Sequence, residues 1–273
     1  MGRGRVLLVH ASLRAVGWIC GGSVAMVQAL LDVLGPSGTL VVPTFTSDNR
    51  DPRLWSESPQ PQRWWDTIRE HLPAFDPARS PGHRMGALSE QVRTWPGARR
   101  SAHPQTSFTA LGRDAEVIVD GHDLSCHLGP RSPLGRLDEL DAQALLLGVN
   151  WNRCTTFHLG EYRQAEPPRR RYACVVRSAS GREWCEFEDV SLSDEDFDEL
   201  GRDYEGSLSR TTDPGLSVGT VGAAPSTLFS VPSAVRFATS WLADRRPPGA
   251  DRRPPGDGSA TRRPVRAPAR YVE

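Results

Sequence analysis

The amino-acid sequence predicts an α/β fold, a three-layer sandwich with helices on both faces of a mixed β-sheet. Short apolar runs of strand length predict buried strands, and ALLLGV at 144–149 is the clearest of them. Segments such as 24–34 carry apolar residues at helical spacing and predict amphipathic helices. Strands and helices do not alternate strictly along the chain, so we do not expect a sheet of parallel strands alone.

The predicted elements follow in chain order. A strand at 5–10 precedes the helix at 24–34, for which Ser23 is the expected N-cap and Gly35-Pro36 the end. Residues 46–82 are rich in Pro, Asp and Trp and predict a long irregular segment, which inside a compact domain is more often functional than idle. The predicted strands or extended segments are 5–10, 38–43, 107–110, 117–119, 144–149, 172–176 and 183–187, the last two forming a hairpin. The predicted helices are 24–34, 64–71, 85–94, 155–164, 193–205 and 234–242.

Composition excludes several classes of protein. The chain has 273 residues, 38% of them hydrophobic, which allows a sizeable core. No run approaches the roughly eighteen apolar residues of a membrane span, and no standard signal peptide is recognisable. The five cysteines are odd in number and contain no CxxC pair, which argues against a disulfide scaffold or a zinc ribbon. We therefore expect a reduced, cytoplasmic protein that does not bind a membrane, as a monomer or a homodimer.

The composition also divides the chain into a folded domain and a C-terminal tail. Residues 1–243 form the predicted folded domain, and residues 244–273 form a Pro/Arg-rich tail with a direct repeat, 243–249 against 250–256. The tail holds eight Arg against four acidic residues, a net charge of +4; since the whole chain is neutral, the rest carries −4. Because the tail has almost nothing apolar to bury, we expect it to be disordered. We expect a solvated extension in preference to an electrostatic tether for an anionic partner. The mildly acidic domain argues against a nucleic-acid partner and suits a cationic ligand.

Several familiar catalytic signatures do not occur in this sequence: it has no HExxH, no GxxxxGK[ST] and no strand-flanked GxGxxG. His122, Cys126 and His127 have loose metal-ligand spacing but no convincing fourth ligand, so we predict no metal site. Residues 253–258 match the pattern RxxGxG, which binds the CoA pyrophosphate in GNAT acetyltransferases. Two prolines inside it prevent the helix start that would aim N–H groups at phosphate, so we reject it.

One segment combines a buried strand, a polar loop and a helix start, LLLGVNWNRCTTFHLGEYR at 145–163. The i, i+3 spacing of His158 and Glu161 puts both side chains on one helix face. With Thr155 as N-cap, His158 is the third helical residue, where the positive helix end disfavours imidazolium and keeps the ring neutral. Such a ring can act as a general base. A partly buried histidine bonded to a carbonyl, beside a surface carboxylate, fits the spacing equally well.

Five motifs, and the order in which they occur along the chain, resemble the antibiotic N-acetyltransferase family, the aminoglycoside 3-N-acetyltransferases. They are VLLVHASLRAVGWICGG (6–22), PAFDPARSP (73–81), RSAHPQTSFTALG (100–112), LGPRSPLGRL (128–137) and LLLGVNWNRCTTFHLGEYR (145–163). The resemblance covers roughly residues 6–242 and implies a fold distinct from GNAT. It implies acetylation of the 3-amino group of the 2-deoxystreptamine ring with acetyl-CoA as acyl donor, and thus antibiotic resistance. In the last motif Gly160 stands where relatives often carry Ala.

The resemblance also implies roles for individual residues. The HxxE pair falls on His158 and Glu161, as catalytic base and acidic partner. An HxS segment falls on His10 and Ser12. The residues expected to line the pantetheine channel are His10, Ser12, Leu13, Val16 and Gly17. Those expected at the cofactor side, in the RSxHPxxSF segment, are Arg100, Ser101 and Ser107.

Acetyl transfer to an amine needs a neutral amine, a proton acceptor and a donor for the developing oxyanion. We expect His158 to accept the proton, and the oxyanion donor to be backbone N–H groups or a hydroxyl such as Ser107. Direct attack in a ternary complex is expected, because no cysteine or serine is placed as an acyl carrier. Carboxylates would bind the aminoglycoside, and the candidates are Asp48, Asp51, Asp76 and Glu161. We expect a structural role for His103 and a solvated surface for the acidic segment 183–205.

Three alternatives stay open at this point. An N-acyltransferase of the same fold could act on another biosynthetic amine, with the long segment at 46–82 as the place where the difference lies. A non-catalytic CoA-binding protein could keep the same fold. An interaction module could act mainly through the basic tail.

Overall fold

The chain folds around a mixed β-sheet. The structure is a computed structural model that describes residues 4–54, 60–208 and 215–246. Within these residues the strands of the main sheet are β1 Val6–Ala11, β2 Thr39–Pro43, β3 Arg99–Arg100, β4 Phe108–Gly112, β5 Gln143–Leu147, β8 Leu216–Val221 and β9 Ala224–Ser230. The remaining two, β6 Arg169–Ser178 and β7 Gly181–Val190, form a separate hairpin. The order in the main sheet is β3-β4-β2-β1-β5-β9-β8.

Helices cover both faces of this sheet. They are α1 Leu13–Val16, α2 Gly22–Leu34, α3 Trp65–His71, α4 Gly86–Arg93, α5 Ala115–Val119, α6 Pro133–Glu139, α7 Thr156–Tyr162, α8 Phe197–Leu208 and α9 Val231–Arg245 in the described residues. Side chains alternate along β1, so Val6 and Leu8 enter one apolar core while Leu7 and Val9 enter the other. Helices α2 and α4 contribute to the second core and α5 to α9 to the first. The predicted fold class, a three-layer α/β sandwich around a mixed sheet, is confirmed.

The parallel strands define the edge where the site lies. Strand β1 pairs in parallel with β2 on one side and β5 on the other, whereas the other pairs of the main sheet are antiparallel. The carboxyl ends of β1, β2 and β5, at Ala11, Pro43 and Leu147, therefore meet at one edge. In open α/β sheets this edge is where ligands bind.

Two local predictions are wrong. Helix α2 begins at Gly22 with Gly21 as its N-cap in the left-handed region (φ 81°), while the Ser23 hydroxyl donates to Gln91 Oε1 at 2.9 Å. Residues 117–119, expected to be extended, belong to α5. Ala115 and Ile118 are buried one helical turn apart in the first core, so packing overrides the β propensity of Val and Ile.

The last helix is longer than expected. Helix α9 starts after Ser230, whose hydroxyl accepts from Ser233 N at 3.3 Å, and it continues to Arg245, whereas 234–242 was predicted. The first two residues of the expected tail are therefore helical, and Arg246 follows them. Residues 247–273, with the rejected pattern at 253–258, lie outside the described residues. In the part of the chain that is described, no helix is both long and apolar enough to span a membrane.

A glycine lets α9 pack closely on α7. A Cβ on Gly160 would lie 2.9 Å from Ala238 Cβ and 3.1 Å from Thr239 N, both on α9. The Gln164 side chain adds hydrogen bonds to Gly160 O at 2.8 Å and Thr239 O at 3.1 Å. Gly160, where relatives often carry Ala, thus lowers the helix propensity of α7 but allows α9 to approach closely.

Candidate active site

The pair predicted from spacing is formed on α7. Thr155 is the N-cap, so His158 is the third helical residue, and its Nδ1 lies 2.7 Å from Glu161 Oε2. Only 13% of the His158 side chain and 5% of the Glu161 side chain are exposed. A carboxylate accepts hydrogen bonds, so Nδ1 carries a proton that it donates to Glu161, and Nε2 is the ring nitrogen left to face another group. His158 is therefore bonded to a buried carboxylate, not to a backbone carbonyl beside a surface carboxylate.

The other oxygen of Glu161 is also bonded. Glu161 Oε1 accepts from Ser193 N at 3.0 Å and from the guanidinium of Arg246. Phe197 at the start of α8 packs against the His158 ring, with centroids 4.8 Å apart. The imidazole is therefore held by a carboxylate on one side and an aromatic ring on another. This arrangement fixes the ring orientation that a general base requires.

His10 lies beside this pair at the end of β1. Its Nε2 is 3.2 Å from Thr155 Oγ1, so the side chain of the N-cap residue contacts β1 and makes no hydrogen bond to its own helix. Burial is the main cause that lowers the pKa of His10 to about 3. His10 is thus neutral near pH 7, and it joins the end of β1 to the start of α7.

The other residues expected around the pantetheine differ in exposure. Ser12 and Leu13 are half-buried and Gly17 is exposed, with a positive φ of 94° and no atom within 4 Å of the position a Cβ would take. Val16 packs into the second core, and its carbonyl accepts from Ala223 N at 3.1 Å. The structure therefore leaves Gly17 exposed and Ser12 and Leu13 half-buried in the segment that follows His10, whereas Val16 anchors this segment in the second core.

Arg100, Ser101 and Ser107 are bonded inside the protein. Arg100 donates to Ser107 Oγ at 3.0 Å and to Thr44 O at 2.6 Å, and its guanidinium lies 5.0 Å from the ring of Phe75. Burial lowers its pKa to about 10, so it stays charged near neutral pH. The hydroxyl of Ser101 accepts from the backbone N–H of residue 108 at 2.9 Å.

Ser107 does not fit the role of oxyanion donor. It is fully buried, and its hydroxyl donates to Thr44 O at 2.9 Å. Arg100 also donates to the carbonyls of Pro77 and Ser80. Arg100 thus holds the 75–80 segment against the sheet, and the structure does not bring Arg100, Ser101 or Ser107 to the His158–Glu161 pair.

A cleft of about 400 Å³, lined by two carboxylates and two arginines, lies beyond the end of β2. Its lining residues are Thr46, Asp48, Asn49, Leu72, Pro73, Ala74, Phe75, Asp76, Arg79, Ser80, Pro81 and Arg177. Asp48 is the more exposed of its two carboxylates and lies 3.6 Å from His83 Nδ1, while Asp76 accepts from Ala78 N at 2.9 Å. Asp51, the third expected carboxylate, is buried in an ion pair with Arg69 and does not line this cleft.

A second cleft, of about 340 Å³, lies beyond the end of β5. Helix α8 contributes Asp198 and Glu205 to it, from the acidic segment that was expected to be a solvated surface. Asp198 accepts from Asn152 N at 2.9 Å, and Glu205 accepts from the Trp151 indole at 3.0 Å. Both carboxylates thus fasten α8 to the loop that leads into α7.

Three other histidines form a buried cluster away from the pair. The ring of His103 lies 4.6 Å from that of His122 and 4.7 Å from that of His127. Burial lowers the pKa of all three, to about 4 for His122. His127 Nδ1 is 2.7 Å from Asp189 Oδ2, which also accepts from the Tyr162 hydroxyl at 2.6 Å. The cluster joins the β6–β7 hairpin to the main domain, and across the described ranges no three His, Cys, Asp or Glu side chains are grouped to hold a metal ion.

Comparison with known proteins identifies the family. A model of the family described as aminoglycoside 3-N-acetyltransferase matches residues 8–243. The chain belongs to the aminoglycoside 3-N-acetyltransferase family. The family and the enzyme class, an acyltransferase, were thus predicted correctly from the motifs.

Curated relatives of this family cover most of the chain. The SPbeta prophage-derived aminoglycoside N(3')-acetyltransferase-like protein YokD of Bacillus subtilis is 38% identical over 241 residues, 88% of this chain and 86% of the relative. Aminoglycoside N(3)-acetyltransferase VII of Streptomyces paromomycinus is 34% identical over 262 residues, 90% of this chain and 88% of the relative.

Solved structures agree with the fold. The crystal structure of YokD from Bacillus subtilis matches with a TM-score of 0.83 at 37% identity, over 89% of this chain and 93% of that one. AAC-IIIb in a binary complex with CoASH matches with a TM-score of 0.77 at 30% identity, over 89% and 91%. AAC-VIa bound to sisomicin matches with a TM-score of 0.76 at 30% identity, over 89% and 92%.

Proposed function

We propose that the chain transfers the acetyl group of acetyl-CoA to the 3-amino group of an aminoglycoside by direct attack within a ternary complex. The observation that carries this proposal is the His158–Glu161 pair, joined at 2.7 Å and placed next to the carboxyl end of β1. Membership of the family supports the reaction class. The five cysteines are all unpaired, which supports the cytoplasm as the site of the reaction.

His158 would act as the general base. Its Nε2 accepts a proton from the acceptor amine as the amine nitrogen attacks the thioester carbonyl carbon. The C–N bond forms, the C–S bond breaks, and the proton passes from His158 to the departing thiolate, so that an amide and a thiol result. Glu161 stabilises the imidazolium that exists between the two proton transfers, because its carboxylate accepts from Nδ1.

The donor would lie against the segment that follows β1. Ser12, Leu13 and Gly17 are at the surface there, and the open space above Gly17 lets a narrow chain approach the backbone. Val16, behind them, keeps the segment in place through its contact with the β8–β9 turn. The CoASH complex of AAC-IIIb, which matches this fold, supports a CoA thioester as donor. Arg100 would act away from the donor, because it holds the 75–80 segment that lines the cleft beyond β2.

The acceptor would bind in the cleft beyond β2. Asp48 and Asp76 offer carboxylates to ammonium groups, and Phe75 offers an apolar wall. The sisomicin complex of AAC-VIa supports an aminoglycoside as ligand. We do not place Asp51 among the binding residues, since Arg69 already neutralises it in the interior.

The test replaces His158 with alanine and measures CoA release with a panel of aminoglycosides, together with acetyl-CoA binding by calorimetry. We expect turnover to fall by about a hundredfold or more while acetyl-CoA affinity is retained. His71→Ala is the matched control, because that ring is 69% exposed on α3. Unchanged turnover of the His158→Ala variant removes the base assignment. A wild-type protein that binds acetyl-CoA but acetylates no aminoglycoside refutes the proposed function.

A further inference from the structure

Arg246 follows α9 and reaches back to α7. Its backbone N–H donates to Leu242 O at 2.8 Å, which closes the end of the helix. Its side chain is only 9% exposed. The guanidinium donates to Glu161 Oε1 through Nη1, to Asp196 through Nε and Nη2, and to Ser193 O at 3.1 Å. These contacts use the planar fork of arginine to join three segments that are distant in sequence.

The contacts of Arg246 connect directly to the proposed base. Glu161 receives Arg246 and Ser193 N on Oε1, which leaves Oε2 directed at His158 Nδ1 at 2.7 Å. The Arg246 guanidinium also lies 5.9 Å from the ring of Phe197, and the same ring packs on His158 at 4.8 Å. Removing the guanidinium of Arg246 would therefore leave Glu161 Oε1 held by Ser193 N and would remove a contact from the aromatic ring that packs on the imidazole.

We propose that Arg246 is a positioning residue for acetyl transfer, which holds Glu161 Oε1 and shares its charge, so that Oε2 orients the imidazole of His158. The inference rests on the roles proposed above for His158 and Glu161. It also gives Arg246 a function in the active site, although this residue belongs to the segment expected to be a solvated tail.

The charges around the pair determine what removal of Arg246 does. Glu161 is faced by His158 on its own helix, by Arg246, and by Asp196 through the shared guanidinium. His158 is also faced by His10, which is kept neutral by burial. Without the guanidinium two carboxylates remain close to His158, and they favour the imidazolium. The pH below which activity is lost should then rise.

The test compares Arg246→Met, Arg246→Lys and the control Arg245→Met. Arg245 is adjacent in sequence but 53% exposed, and its partner Glu199 is also at the surface. For Arg246→Met we expect kcat to fall about tenfold or more, KM for acetyl-CoA to stay within about twofold, and the acid limb of kcat/KM to move up by about one pH unit. Arg246→Lys should keep the acid limb in place, because the charge remains, and recover only part of kcat, because the fork is lost. Arg245→Met should match the wild type.

Two results overturn the inference. In the first, Arg246→Met has the kcat and the pH profile of the wild type. In the second, its kcat falls only in proportion to the loss of folded protein, and the acid limb of kcat/KM does not move. If Arg246→Met does not fold, Arg246→Lys decides, and full kcat in that variant overturns the inference. His158→Ala is measured in parallel. An active His158→Ala counts against the proposed function itself, whereas an inactive His158→Ala with a fully active Arg246→Met refutes only the role of Arg246.

Discussion

Replacing Glu161 with glutamine removes the carboxylate charge while it keeps the size of the side chain. Two donors, Ser193 N and the Arg246 guanidinium, face Oε1, so the amide oxygen will turn toward them. The amide nitrogen then faces His158 Nδ1, which must accept a hydrogen bond. The ring proton consequently moves to Nε2, and the nitrogen that should receive the substrate proton is blocked.

The expected loss can be estimated from the geometry. Two unit charges about 4 Å apart attract by about 4 kcal/mol at an effective dielectric constant of about 20. The positive charge of Arg246 on the other carboxylate oxygen offsets roughly half, which leaves about 2 kcal/mol of imidazolium stabilisation, or about thirtyfold in kcat. The wrong tautomer adds to this loss, so thirtyfold is the minimum.

The assay is steady-state CoA release, with acetyl-CoA affinity and thermal unfolding measured on the same preparation. We expect Glu161→Gln to lose at least about thirtyfold in kcat and to keep its acetyl-CoA affinity. Glu199→Gln is the control, since Glu199 pairs with Arg245 at the surface. A folded Glu161→Gln variant with the kcat of the wild type would show that the His158–Glu161 hydrogen bond does not serve the reaction.

Three other predictions concern the acceptor, acid and packing. Asp48→Asn and Asp76→Asn should each raise the aminoglycoside KM by about fivefold and leave the acetyl-CoA KM unchanged, since a partly exposed charge contributes about 1 kcal/mol; an equal rise in both constants would contradict the cleft assignment. Acidification from about pH 6 to 4 should lower the free energy of unfolding, because the pKa of His10 is about 3 in the native state against 6.5 unfolded, so the unfolded chain binds more protons. The slope should be about 1 kcal/mol per pH unit for each such buried histidine, and a flat profile in urea titrations over this range would refute it. Gly201→Ala should destabilise by about 2 kcal/mol, because a Cβ would lie 2.0 Å from Trp151 Cγ; a rise in melting temperature would show that the indole moves aside.

Local patterns predicted the part of the fold that bears the pair. Helix α7 and strands β1 and β5 follow from apolar runs and from the helix start at Thr155, because these signals are local and agree with one another. Strand β9 was not predicted, since Pro225 lies inside it and proline argues against a strand. Strand β8 was missed too, because it is an edge strand that is largely exposed and lacks a buried face to set a pattern.

The sequence predicted the pair of side chains at the site but not the hydrogen-bond partners that hold Glu161. Spacing placed His158 and Glu161 on one face, and the structure joins them. The partners of Glu161 come from residues 32 and 85 positions later in the chain, and no local pattern reports such contacts. One signal was available for Arg246. Neither Pro nor Gly occurs between Leu242 and Arg246, so the helix end could have been placed inside the expected tail, before Pro247.

The central claim is that His158 removes a proton from the acceptor amine, and a crystal structure with CoA and an aminoglycoside bound together tests it most directly. We expect His158 Nε2 to lie within about 3.2 Å of the 3-amino nitrogen, or to reach it through one water molecule, with Glu161 still on Nδ1. An amine bound well beyond that distance, with no water between the two nitrogens, would contradict the mechanism.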